Sequence, residues 1–160
     1  MKMVFKRSAA VVLLLFMASV AHAEQLNDKN INQFLLKYAN DYATHSMRLV
    51  RGFRKYKDQG DYQGFVAFKN TVWLPEFERD RKAYDAILED NRKYLFDNGM
   101  TFIFSNLVGL GIYANNFFFD LRRGDKNIRK ATVEKMQTDM NQLETLFKEK
   151  SLEFKPLVRD

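Results

Sequence analysis

Between Asp97 and Asp120 the chain carries no charge. The stretch Asn98–Phe119, NGMTFIFSNLVGLGIYANNFFF, is about 22 residues long, enough for a helix to cross a bilayer. It is also aromatic and contains glycine, as the central helix of a soluble bundle would be. Whatever this chain folds into must either bury that segment or place it in lipid.

Three features favour burial in protein. Asn106, Asn115 and Asn116 are costly in hydrocarbon. Neither end carries a tryptophan, and the flank Asp120, Arg122, Arg123, Asp125 is mixed in sign. The segments around it are amphipathic and need a centre to pack on. The spacing predicts a helix over Met100–Arg122 that is apolar on nearly every side and covered on most of them. Ser105, Gly109 and Ala114 place small residues where a neighbour packs closely. The same small residues would serve helix association in a membrane, so insertion of 98–119 stays open as the alternative.

The first 23 residues read as an address. Lys2, Lys6 and Arg7 precede an apolar run, Ala9–Ala18, and Ala21-His22-Ala23 closes with small residues at alternate positions. This is the form of a secretory signal peptide cleaved after Ala23. It implies a periplasmic or secreted protein whose one domain occupies 24–160. Cleavage leaves 23 basic residues against 20 acidic, a mild excess of about +3 where the whole chain has +6. The charges are interspersed. Nucleic-acid binding, which needs a concentrated basic face, is not expected.

About 137 residues is one domain's worth. The chain has no cysteine, so packing must hold it, and of its 15 Phe, 7 Tyr and 7 Met, the 13, 7 and 4 that lie beyond Ala23 supply the material. Two prolines and long stretches with apolar residues three and four apart give an all-α class. The expected fold is an up-and-down bundle of four to five helices around the central one.

The first helix spans about Asp28–Asp58, capped by Asn27 or Asp28. Ile31, Leu35, Tyr38, Tyr42, Leu49 and Tyr56 form its inner stripe, with Phe34 and Phe53 alongside. His45 and Gly52 fall on the same stripe, and Gly52 invites close approach of another helix. Asp61 caps a second run through Phe65, Val66, Val72 and Trp73. Pro75 should break or kink it at Leu74–Pro75, and Pro75-Glu76 also reads as the first turn of the helix that follows, where proline is tolerated and an acid suits the helix dipole. A third helix then reaches about Phe96, with Phe77, Tyr84, Ile87, Leu88, Asn91 and Leu95 inward. Asp97-Asn98-Gly99 is a turn. Gly124 closes the central helix. Asp125 caps the last one, which has Ile128, Thr132, Met136, Met140, Leu143 and Phe147 inward, Asp139 among its solvent-facing residues, and an end near Leu152. Phe154–Val158 is a tail.

The catalytic inventory is thin. Beyond the leader there is one histidine and three serines, with no G-x-S-x-G, H-E-x-x-H or phosphate-binding glycine loop. His45 with Met136 or Met140 across a bundle is a weak candidate for haem ligation. A lone histidine on a tyrosine-rich stripe is more simply a hydrogen-bonded core residue. No cofactor and no metal are expected. Glu76, Glu78, Asp80, Asp85, Glu89 and Asp90 would supply an acid pair, but they lie among Arg79, Arg81, Lys82 and Arg92 on what reads as a solvated face. Arg123-Gly124-Asp125 spells an adhesive tripeptide, yet a helix terminator followed by a cap accounts for it.

What remains is a non-enzymatic exported binding protein. Its most concrete form is a periplasmic inhibitor or immunity protein that blocks a toxin or a cell-wall-degrading enzyme by occlusion. Trp73, Tyr113, Phe117 and Phe118 are the candidate anchors, because aromatics dominate protein interfaces. A periplasmic chaperone or envelope-assembly factor, and a membrane-active protein inserting 98–119, are the alternatives. Oligomeric state is not legible.

Overall fold

The computed structural model describes residues 25–153. The expected signal peptide Met1–Ala23, its cleavage site and the tail Phe154–Val158 lie outside the described residues.

The described chain is all-α. It comprises α1 (Ile31–Asp58), α2 (Tyr62–Phe68), α3 (Leu74–Asp90), α4 (Arg92–Asp97), α5 (Phe102–Arg123) and α6 (Lys126–Glu149). A π-helical turn, Lys69–Trp73, joins α2 to α3. Four long rods result: α1, the α2–α3 rod, α5 and α6, with α4 a short fifth piece. Contacts give their directions. The Trp73 indole N–H donates to the His45 carbonyl at 3.0 Å, and Tyr84 donates to Asp41 at 2.5 Å, so α3 runs against α1. Tyr38 bonds Ile103 and the Phe53 ring stacks on Phe117, so α5 runs with α1. Asn116 bonds Thr132 and Tyr113 bonds Asp139, so α6 runs against α5. The bundle is up-down-up-down, with α5 touching α1, α2, α3 and α6.

The stripe read for α1 is the stripe that is buried: Ile31, Phe34, Leu35, Tyr38, Tyr42, His45, Leu49, Gly52 and Phe53, with Tyr56 half-buried against the core. Gly52 serves as expected. A Cβ built there would lie 2.2 Å from the Phe68 ring, so glycine is what lets α2 cross α1 closely.

Four local expectations need correction. α1 begins at Ile31, not Asp28. Asn27 and Asn30 instead fold the preceding residues into a turn, Asn27 accepting from the Lys29 amide at 2.9 Å and Asn30 from the Asn27 amide at 2.8 Å. Pro75 does not break the chain. The turn before it widens, so that the Leu74 N–H reaches the Lys69 carbonyl five residues back; Pro75 and Glu76 do fall in the first turn of α3, as read from the sequence, where a missing N–H is tolerated. The third helix stops at Asp90. Asn91 turns its own side chain onto the Ile87 carbonyl at 2.7 Å and accepts from the Leu26 amide at 2.7 Å. That competition with the helix ladder separates α3 from α4. Asp139 does not face water. It is 1% exposed.

The ends of α5 follow from local chemistry. Gly99 and Gly124 both have φ of +69, the left-handed region that favours glycine. Gly124 closes α5, and the Asp125 carboxylate then accepts from the Asn127 and Ile128 amides at 3.0 and 3.3 Å. The adhesive tripeptide is thus a helix end and a helix cap.

Candidate functional site

α5 does not complete its own burial. Ile103, Leu107, Leu110, Ala114 and Phe117 point into the core, but Val108 and Ile112 are each 53% exposed. They lie one turn apart on the face turned away from α1 and α3. Phe104 flanks them, and α6 supplies the opposite wall through Ala131, Thr132 and Lys135. Together they line an open groove of about 700 Å³. A helix apolar on every side was expected to be covered on most sides. Here one side stays open, because the short side chains Ser105, Gly109 and Ala131 leave α5 and α6 without bulk to close over it.

The groove floor is fixed by polar bonds. The Tyr113 ring lies over Gly109, its hydroxyl 2.9 Å from where a Cβ would stand. That hydroxyl donates to Asp139 Oδ2 at 2.7 Å. Tyr42 donates to the same oxygen at 3.0 Å, and Lys135 Nζ lies 3.2 Å from Asp139 Oδ1. Burial raises the Tyr42 and Tyr113 hydroxyls above their ordinary pKa, and the Asp139 carboxylate raises them further. Both therefore stay protonated donors at neutral pH.

Of the four anchors read from the sequence, three belong to the core. Trp73 is 1% exposed, stacked on Phe77 at 4.7 Å. Phe117 is fully buried against Phe53. Tyr113 is 5% exposed and spends its hydroxyl on Asp139. They are corrected from surface anchors to packing residues, because large aromatics on these helices find the bundle interior first. Phe118 is half-buried, packed against the core and near Phe119, with Lys69 Nζ 5.9 Å from its ring. The residues that were missed, Val108 and Ile112, had no distinguishing signal in a segment apolar on all sides.

His45 is a core histidine. Its Nε2 lies 3.0 Å from Asp80 Oδ2, and its ring meets Phe77 edge-on at 5.6 Å. It faces α3, whereas Met136 and Met140 line a different groove beside Ser46 and Met47. The structure does not bring His45 together with either methionine. Burial alone would raise the Asp80 carboxyl, but hydrogen bonds from Arg79 and His45 outweigh it and hold the carboxyl below its usual value. Four more carboxylates of α3 pair with bases: Glu76 with Arg48, Glu78 and Asp85 with Arg81, and Glu89 with Arg92. Among the described residues no group of three or more His, Cys, Asp or Glu is placed to hold a metal ion.

The asparagines of α5 behave as helix-packing groups. Asn115 accepts from Lys69 at 2.9 Å, and Asn116 donates to Thr132 at 3.1 Å. Asn106 is 1% exposed with neither amide atom bonded; nothing in the structure explains it. By length and composition α5 is apolar enough to cross a membrane. No family model, curated protein or solved structure matches the chain.

Proposed function

We propose that this chain is an exported, non-enzymatic binding protein that blocks a toxin or a cell-wall-degrading enzyme by occlusion, docking through the groove between α5 and α6. The observation that carries the reading is the pair Val108 and Ile112, aliphatic side chains each 53% exposed on the helix whose other face forms the core. Leaving two aliphatic side chains half in water one turn apart forfeits about half of the ~1.5–3 kcal/mol that full burial of each contributes, so roughly 1–1.5 kcal/mol per residue. A partner that covers them recovers it. The groove walls are held by the Tyr113–Asp139–Tyr42 bonds, so the surface is preformed and little ordering opposes association. The partner this shape fits presents an apolar projection with an acidic neighbour, to meet Lys135 at the rim.

The competing reading is insertion of α5 into a bilayer, favoured by its length and composition. Insertion would pull Asp120, itself 4% exposed, toward hydrocarbon and strip Tyr113 from Asp139. The folded bundle keeps the Tyr113–Asp139 and Asn116–Thr132 bonds that insertion would break.

The test has two stages. The tagged protein captures partners from an envelope extract, and any captured enzyme is assayed with and without it. The reading expects a stoichiometric partner whose activity falls on binding, and loss of both effects in the Val108→Lys/Ile112→Lys variant. Leu36→Lys, exposed on α1, should change neither. Capture without inhibition, or inhibition untouched by the double variant, would overturn it. Retention of the protein in membranes after a carbonate wash would favour insertion.

A further inference from the structure

A second groove lies on another side of the bundle, between α1 and α6, and its chemistry differs from the first. Its volume is about 570 Å³, within the range of small-ligand sites, roughly 300–1,000 Å³. Met47 and Val50 of α1 and Val133, Met136 and Met140 of α6 make the apolar walls, with Phe117 of α5 behind them. Methionines of this kind adapt to an irregular apolar ligand. From Ala43 to Lys57 the α1 wall runs for about 21 Å at helical rise.

The polar residues are not spread evenly along it. Because α6 runs against α1, Lys57 and Arg54 share one end of the groove with Arg129, and Ala43 shares the other with Met140. Arg129 is 3.7 Å from Asp120 and so is partly balanced. Arg51, Arg54 and Lys57 line the α1 side and are exposed, Gln137 of α6 lines the groove toward the other end, and among the described residues no acidic residue lines it. One end is thus cationic and the other uncharged. In the floor, Ser46 is 7% exposed and its hydroxyl has no partner within the described chain. That oxygen is closed off from the groove and lies about 12–16 Å along α1 from Arg54 and Lys57 at helical rise, so it is not a contact for a charged head bound there.

From the apolar trough and the cationic end we infer that the α1–α6 groove binds a single-chain anionic amphiphile, an acyl chain with a carboxylate head. The head meets Arg54 and Lys57, and the chain lies over Met47, Val50, Met136 and Met140. A two-stranded docking partner would not need the charge to be confined to one end. A phosphate alone would not need the methionine trough. This inference is independent of the proposed inhibition through the α5–α6 groove, which lies on a different face of α6.

The experiment titrates protein purified from cells expressing the full chain with palmitate, by calorimetry, and in parallel with hexadecanol of equal chain length. Palmitate should bind saturably, one per chain, and the neutral alcohol far more weakly. Arg54→Glu/Lys57→Glu should weaken palmitate about tenfold or more, with circular dichroism unchanged because both side chains are exposed. Val133→Glu, at a position 49% exposed, should weaken it from the apolar wall. Lys148→Glu, at the far end of α6, should not. Absence of saturable palmitate binding would overturn the inference, as would equal binding by the charge-reversed variant. So would binding only to phosphatidylglycerol vesicles and not to palmitate, which would make the basic end a membrane contact.

Discussion

The Tyr113 hydroxyl donates to the buried Asp139 carboxylate at 2.7 Å, pinning α5 to α6 from inside the bundle. Tyr42 reaches the same oxygen from α1 at 3.0 Å. One carboxylate therefore holds three helices, and its other oxygen is met by Lys135 from its own helix.

Removing that carboxylate should be among the more damaging single changes in the chain. Asp139→Ala leaves two buried phenol hydroxyls without acceptors and a void between them. Charged hydrogen bonds contribute about 1.5–3 kcal/mol each in favourable settings and do not simply add. The expected loss is about 2–4 kcal/mol, read as a lower urea midpoint with an unchanged slope. Asp139→Asn keeps an acceptor and should cost less than half as much. A near-neutral Asp139→Ala would show that the tyrosines find other partners.

The buried phenols also set an alkaline limit. Tyr38, Tyr42, Tyr84 and Tyr113 are all raised above the ordinary value of 10.0, first by burial and then by neighbouring carboxylates. A phenol with a raised folded-state pKa binds its proton more tightly in the native chain than in the unfolded one. Its contribution is fully present below pH 10 and falls as pH rises above it. Stability should be flat in these groups up to about pH 10 and then drop steeply. Phenolate absorbance should appear together with loss of helical circular dichroism. The Tyr42→Phe/Tyr113→Phe variant should lose stability less steeply in that range. Phenolate appearing while the helix content holds would contradict this.

Gly52 offers a test in which two effects oppose each other. In an exposed helix interior, Gly→Ala gains about 0.8–1 kcal/mol of helix propensity. Here the new methyl would stand 2.2–2.8 Å from three atoms of the Phe68 ring, and that ring is itself packed against Tyr56 and Phe65. Overpacking costs about 1–3 kcal/mol, so Gly52→Ala should destabilise on balance. Shortening the obstruction with Phe68→Leu should shrink or reverse the effect in the double variant. A stabilised Gly52→Ala in the wild-type background would mean that α2 moves away from α1 at little cost.

The sequence was legible where one period dominates and opaque where a few polar atoms decide. The α1 stripe, the Gly124 terminator and the Asp125 cap follow from spacing and local chemistry, and each is where the residues put it. Asp139 was read as solvent-facing because a charged side chain on an amphipathic helix normally is. Lys135, one turn back, is a local partner the sequence does show, but the arrival of Tyr42 and Tyr113 from two other helices is what buries the carboxylate, and no local pattern contains that. Pro75 failed as a breaker for a similar reason: widening one turn satisfies the helix around it. The open face of α5 was hidden by the segment's uniformity. When every side is apolar, periodicity cannot say which one the neighbours leave bare.

Trp73 separates packing from recognition most directly, because it is the chain's single tryptophan. Its indole N–H is spent on the His45 carbonyl at 3.0 Å, and its ring is stacked on Phe77. Its emission should be blue-shifted and weakly quenched by acrylamide, moving red only as the bundle unfolds. Trp73→Ala should cost about 3–5 kcal/mol, as truncations of buried aromatics do. Val108→Lys, in contrast, should stay within about 0.5 kcal/mol of wild type. Partner binding should show the reverse order: preserved in a conservative Trp73→Phe that still folds, and lost in Val108→Lys. If instead a partner shields Trp73 from acrylamide in the native protein, the indole is accessible, and the packing assigned to α3 against α1 is wrong.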